Sequence, residues 1–115
     1  MILMTKNLDQ EGLRSIVENY DLYYIDLWGV VHNGIKLHPE AIKVLNELEL
    51  KGKEYVLLTN APRPSRAVKA FLKNMNLEEN IRNHVFSSGE ASLNYLKNNF
   101  SSKKFYHIGP PRDFD

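Results

Sequence analysis

The chain has 115 residues, enough for one small domain and its core and too few for two ordinary domains. Apolar residues make up 43% and charged residues 25%, a globular balance that argues against disorder, and the net charge of +1 gives no electrostatic reason to expect nucleic acid or an anionic membrane as partner. The absence of cysteine excludes a disulfide framework, a thiol nucleophile and a thiolate metal site, and it fits a cytoplasmic location.

The apolar start, Met1 to Met4, is followed by no stretch of signal-peptide length, and no run approaches the ~18 residues of a membrane span. Leu13, Ile16, Val17 and Tyr20 recur at helical spacing and predict an amphipathic helix over about 8–20, with Asp9 as N-cap. Leu22 to Val31 is nearly all apolar and β-prone, interrupted by Asp26, and reads as a strand buried on both faces. Asn33-Gly34 marks a turn. Pro39 suits the first position of a helix whose buried stripe is Ala41, Val44, Leu45 and Leu48, ended by Gly52. Tyr55 to Leu58 is a second buried strand, followed by a loop with Pro62 and Pro64. Val68, Phe71, Leu72 and Met75 mark a helix, Val85-Phe86-Ser87 a short third strand, and Leu93, Leu96 and Phe100 another helix. Lys104 to Ile108 is expected as a fourth strand, broken by Gly109-Pro110-Pro111. Strand and helix alternate, which predicts an α/β domain with a parallel sheet and right-handed crossovers.

In such sheets ligands bind beyond the carboxyl ends of the strands. Two strand ends carry polar residues directly after apolar runs, Asp26 in the first and Thr59-Asn60 in the second, 33 positions on from Asp26. One helical crossover between them places the two sites side by side. A carboxylate in a buried strand costs several kcal/mol unless a metal ion or loop donors pair with it; the plainer alternative is an Asp that staples a loop. The hydroxyl of Thr59 and the N–H groups of its loop suit a phosphate oxygen; the plainer alternative is an ordinary turn.

Taken together, the segments resemble a known family. Asp26-Leu27-Trp28-Gly29-Val30 resembles the first motif of the haloacid dehalogenase superfamily, Asp-x-Asp-Gly-Thr/Val. Leu57-Leu58-Thr59-Asn60 resembles the second, an apolar strand ending in Ser or Thr followed by Asn. Val85 to Glu90 and the stretch ending at Ile108-Gly109 are similar to the class IIA branch with NagD-like and p-nitrophenylphosphatase-like enzymes. The resemblance covers about residues 20–113. It implies a Rossmann-like three-layer sandwich, of which 1–115 is the N-terminal part of the core, with the C-terminal strands and the cap absent.

The resemblance also implies a chemistry. Asp26 would be the nucleophile that attacks phosphorus and forms an aspartyl-phosphate. Its other oxygen and the backbone carbonyl of Trp28 would bind Mg²⁺. Thr59, with backbone N–H groups around Leu27 and Asn60, would hold phosphoryl oxygens, and Arg63 is a candidate contact to an anionic substrate. Two departures matter. Trp28 stands where family phosphatases keep the Asp that protonates the leaving group, and an indole N–H cannot do that work. The third-motif Lys and fourth-motif acidic residues come after a cap, beyond residue 115; Lys103 and Lys104 are not substitutes, and Asp113 and Asp115 are expected to be mobile ends.

Other polar residues have plainer readings. His32 follows the first motif and either touches substrate or faces solvent as loop histidines commonly do. His38 reads as a helix-start residue. Arg63 and Arg66 either meet an anionic group or form a solvated face. Glu90 suits a helix start through the dipole, and Gly29 lets the backbone turn tightly or approach a ligand. The expected function is therefore part of a Mg²⁺-dependent phosphoester hydrolase acting on a phosphorylated small molecule, inactive as this chain alone. The alternatives are a truncated, non-catalytic remnant or interaction module, and a chain whose partner supplies the missing strands. An unpaired apolar edge on the first strand is expected to promote self-association.

Overall fold

The computed structural model describes residues 7–113. In chain order the elements are α1 (Leu8–Glu11), two 3₁₀ turns (Leu13–Ser15 and Val17–Asn19), β1 (Leu22–Asp26), α2 (Pro39–Leu50), β2 (Glu54–Thr59), α3 (Ser65–Asn74), α4 (Glu79–Arg82), β3 (Val85–Ser87) and α5 (Ser88–Phe100), with a last 3₁₀ turn at Pro111–Asp113. The three strands form one parallel sheet in the order β1-β2-β3. Both crossovers lie on the same face, since Leu45, Leu48, Leu72 and Ile81 share one core cluster with Leu57 and Val85, the arrangement that the common right-handed crossover rule gives for parallel neighbours in sequence order.

The register makes the two faces explicit. Ile25 pairs with Leu57 and Leu57 with Val85, while Asp26 pairs with Leu58 and Leu58 with Phe86. Because side chains alternate along a strand, these are two rows on opposite faces. The first row lies under the helices: Leu57 and Val85 are buried in one core cluster with Leu45, Leu48, Leu72, Leu77 and Ile81, and Ile25 packs against that cluster. The second row is open. Tyr24, Leu58 and Phe86 are exposed there, and Asp26 stands at its end. The expectation of a strand buried on both faces is thus corrected for β1, whose exposed residues are Leu22, Tyr24 and Asp26. Two layers of the sandwich are formed by the described residues.

Local chemistry sets the helix ends. Pro39 opens α2 as expected. Gly52, at φ +64°, lies one position past the C-cap Lys51, with Lys53 N–H donating to Leu48 O at 2.9 Å and Gly52 N–H to Glu49 O at 3.0 Å. That paired pattern closes the last carbonyls of a helix and favours glycine at the left-handed position. Asn76, at φ +62°, ends α3 in the same way, through Leu77 N–H to Leu72 O and Asn76 N–H to Lys73 O. In α2 the buried stripe is Leu45 and Leu48, with Ile42 packed beside them; Val44 is exposed, because the helix turns that side to solvent.

Three further expectations change. The leading helix over 8–20 is a single turn, Leu8–Glu11, followed by 3₁₀ turns, since Gly12 adopts φ +69° and interrupts the ladder. Its N-cap is Asn7, whose side chain accepts from Asp9 N–H at 2.9 Å, rather than Asp9 itself. Tyr23 fastens this segment to the sheet by donating to Val17 O at 2.8 Å. Lys104 to Ile108 forms no strand; Phe105, Tyr106 and Ile108 are exposed. A strand exists through its ladder and its cross-strand neighbours, and an apolar stretch without them stays irregular.

Candidate active site

β1 ends at Asp26 and β2 at Thr59, adjacent in the sheet, so their following loops open at the same carboxyl edge. After Asp26 the chain folds into a tight knot. Leu27 O accepts from Val31 N–H at 2.8 Å and His32 N–H at 3.2 Å, and Gly29 N–H donates to His32 O at 2.8 Å. Gly29 makes this possible by adopting φ +80°. The knot buries Leu27 and Val31 in the core and leaves Trp28 projecting, 64% exposed.

Asp26 is exposed, and one of its carboxylate oxygens accepts from Leu27 N–H at 2.8 Å. The burial cost expected for it does not arise, because it ends the open row of the sheet. Thr59 is buried, and its hydroxyl oxygen accepts from Ala61 N–H at 3.3 Å. A cleft of about 440 Å³ runs past Asp26, Thr59, Asn60, Phe86 and Ser88 on the open face. A second, of about 280 Å³, lies across Thr59 and Asn60 and is walled by Trp28, Arg63 and Phe71.

The loop after Thr59 is held by Ser65, Ser87, Ser88 and Gly89, to which the sequence assigned no such role, and by Glu90, read there only as a helix-start residue. Ser87 caps α5 by accepting from Glu90 N–H at 3.1 Å, and its hydroxyl donates to Arg63 O at 2.5 Å. Ser87 N–H donates to the Ser65 hydroxyl at 3.1 Å, and Gly89 N–H to Ala61 O at 3.0 Å. Ser88 donates to Thr59 O at 3.3 Å. Glu90 accepts from Ser65 N–H at 3.0 Å, satisfying one of the first-turn donors of α3. A Cβ on Gly89 would stand 2.4 Å from the carbonyl oxygens of Pro62 and Arg63, so only glycine permits this approach. Ser87 and Glu90 have the Ser-x-x-Glu spacing of a capping box, a signal present in the sequence but not used there; the Glu serves another helix instead of its own.

His32 is 5% exposed, correcting the reading of a solvent-facing loop histidine. Its Nδ1 accepts from Gly34 N–H at 3.0 Å. Burial pushes the imidazole below its ordinary pKa and His38 adds to this, while Asp26 opposes it. Arg63 forms an ion pair with Asp113, Nε to Oδ1 3.0 Å, so Asp113 is an anchored residue and not a loose end; Asp115 lies outside the described residues. Arg66 is exposed.

The donor set near Asp26 consists of hard oxygens, its carboxylate and the carbonyl of Trp28, which accepts none of the described backbone hydrogen bonds. That fits Mg²⁺ in kind. Among the described residues no group of three or more His, Cys, Asp or Glu converges to complete such a site.

Residues 23–115 match the sequence profile of the haloacid dehalogenase-like hydrolases. The chain belongs to this family. It is 31% identical over 105 residues to phosphoglycolate phosphatase 2 of Arabidopsis thaliana, covering 89% of this chain and 35% of that protein. Among solved structures it is similar to a haloacid dehalogenase-like hydrolase from Brucella suis, with a TM-score of 0.76 and 33% identity over 88% of this chain and 36% of the other. A putative nagD protein superposes with a TM-score of 0.60 at 25% identity, covering 70% and 32% of the two chains. The NagD-like, class IIA resemblance is borne out. The chain spans about a third of the length of the relatives it matches. No helix among the described residues is long and apolar enough to cross a membrane.

Proposed function

We propose that this haloacid dehalogenase-like chain carries the nucleophile and phosphoryl seat of a phosphoester hydrolase acting on a phosphorylated small molecule. The observation that supports it most is the adjacency of Asp26 and Thr59 at neighbouring parallel strand ends. Asp26 attacks phosphorus through a carboxylate oxygen, the P–O bond to the leaving group breaks, and water then hydrolyses the aspartyl-phosphate. Thr59 and the N–H groups of Leu27 and Asn60 hold phosphoryl oxygens, with Arg63 at the margin. Asp26 and the Trp28 carbonyl would hold Mg²⁺, which when bound offsets the negative charge of the phosphoryl group. The remaining Lys and acidic groups of the family mechanism lie in the part of the relatives that this chain does not span. The likeness to a phosphoglycolate phosphatase supports a phosphomonoester as substrate class.

The test is covalent trapping. Protein incubated with a phosphoryl donor and Mg²⁺ is digested and analysed by mass spectrometry. One phosphoryl group on the peptide bearing Asp26, absent in Asp26→Asn, is expected. Labelling that persists in Asp26→Asn would overturn the assignment.

A second reading, an interaction module without catalysis, is favoured by one observation: Trp28 replaces the general acid while Leu58 and Phe86 stand exposed beside Asp26. Absence of any trapped intermediate together with stable binding of a protein partner on that face would support it.

A further inference from the structure

We infer that Asp113 is a positioning residue of the phosphoryl seat: it holds the Arg63 guanidinium by Nε so that the remaining N–H groups meet a phosphoryl oxygen. The inference rests on the seat proposed above and adds a supporting carboxylate to it.

Place is the first argument. Arg63 lines the smaller cleft together with Thr59 and Asn60, so it borders the seat. Its backbone is already fixed, by the Ser87 hydroxyl on its carbonyl oxygen and by the close packing of Gly89 on the Pro62 and Arg63 carbonyls. With the backbone held, only the side-chain torsions decide where the guanidinium goes. Asp113, 50 positions further along the chain, restricts them through a 3.0 Å bond from Nε to Oδ1.

The second argument is which donors remain. A guanidinium has five N–H groups. A bidentate pair, the stronger way to staple two segments, would engage two of its nitrogens. Here, among the described residues, only Nε donates, and the two terminal nitrogens keep four N–H groups for an anion. Exposure runs the same way. The Asp113 side chain is 13% exposed and that of Arg63 34%, so the support is more covered than the group it holds.

Charge is the third argument. A lone carboxylate at the margin of the seat would repel a phosphate dianion. Asp113 is not alone with Arg63, because Arg112 Nε lies 3.9 Å from the same carboxylate oxygen. One carboxylate between two guanidinium groups cancels one of the two positive charges and leaves this margin attractive to an anion.

Inorganic phosphate is titrated by calorimetry, in Mg²⁺, into the wild type, Asp113→Asn and Asp113→Ala. Both variants remove the charge, and only Asn keeps an oxygen that accepts from Nε. Asp113→Ala is therefore expected to bind phosphate roughly two- to tenfold more weakly than Asp113→Asn, the cost of ordering a freed long side chain on binding. In an Arg63→Gln background, which removes the guanidinium, that difference is expected to vanish. Equal affinities of the Asn and Ala variants, or a difference that persists in Arg63→Gln, would overturn the positioning role and leave the seat standing. No phosphate binding by the wild type, or binding that Thr59→Val leaves unchanged, would overturn the seat and the positioning role together.

Discussion

The carboxylate of Glu90, on the first turn of α5, accepts a hydrogen bond from the backbone N–H of Ser65, the first residue of α3, at 3.0 Å. One helix start is thereby capped by a residue from the next. The loop between Thr59 and Ser65, which carries half of the candidate site, is closed at its far end by this contact.

Glu90→Ala is expected to lower stability by about 1 kcal/mol, the usual loss on removing a helix cap. Glu90→Gln, which keeps an acceptor oxygen, should retain most of it. Urea denaturation monitored by circular dichroism reads both, and an unchanged midpoint in Glu90→Ala would refute the capping role.

Gly89→Ala tests the close approach below that cap. Its Cβ would press on two backbone carbonyls that cannot move without shifting the loop. A loss of roughly 1–3 kcal/mol is expected, in the range of overpacked sites, with weaker phosphate binding as the Thr59 loop is displaced. Wild-type affinity and melting in this variant would show that the loop tolerates the intrusion.

Tyr55 gives a pH dependence. Its hydroxyl donates to Glu49 at 2.7 Å, and burial first, then this bond and the Glu49 charge, raise its pKa well above the ordinary 10.0. The folded chain thus keeps the proton when the unfolded chain has released it. The associated stability is fully present below pH 10.0 and is lost as pH rises beyond it. Tyr55→Phe should flatten the alkaline limb of a stability–pH curve; Tyr23, also raised by burial, leaves a residual slope.

On the proposed reading, Trp28→Asp places a titratable group beside the departing oxygen. In any form of the protein that turns substrate over, it should accelerate hydrolysis of phosphoglycolate by about 10²–10⁴-fold, the usual contribution of a general acid, and that of phenyl phosphate far less. Steady-state assays on both substrates decide; equal gains would mean that proton donation was not what Trp28 lacked.

Self-association is expected from the sequence at the unpaired edge of β1, and the open face, where Leu58 and Phe86 are exposed, offers a second surface for it. Sedimentation at rising protein concentration should show association, reduced by Leu58→Lys or Phe86→Lys; a monodisperse monomer throughout would exclude it.

Much of this was readable from sequence because it depended on local pattern. Apolar runs ending in Asp26 and Thr59 located both strand ends, and Pro39 and Gly52 bounded α2. What depended on tertiary contact was not readable. Ser65, Ser87 and Gly89 are ordinary turn residues until the chain brings positions 61–65 and 87–90 together. His32 looks like a loop histidine until the knot around Leu27 buries it. Lys104 to Ile108 has strand composition, and only pairing could have made it one. Whether one or both faces of β1 are covered is likewise set by neighbours far along the chain.

The row Asp26–Leu58–Phe86 ties two events that are usually separate. Any surface that seats on Leu58 and Phe86 also strips water from the end of the row. Stripping water weakens screening around the Asp26 carboxylate and strengthens its pull on a cation and its repulsion of a phosphate dianion. The dielectric at Asp26 is therefore set by whatever covers that row, which ties binding on the open face to the charge balance at this carboxylate.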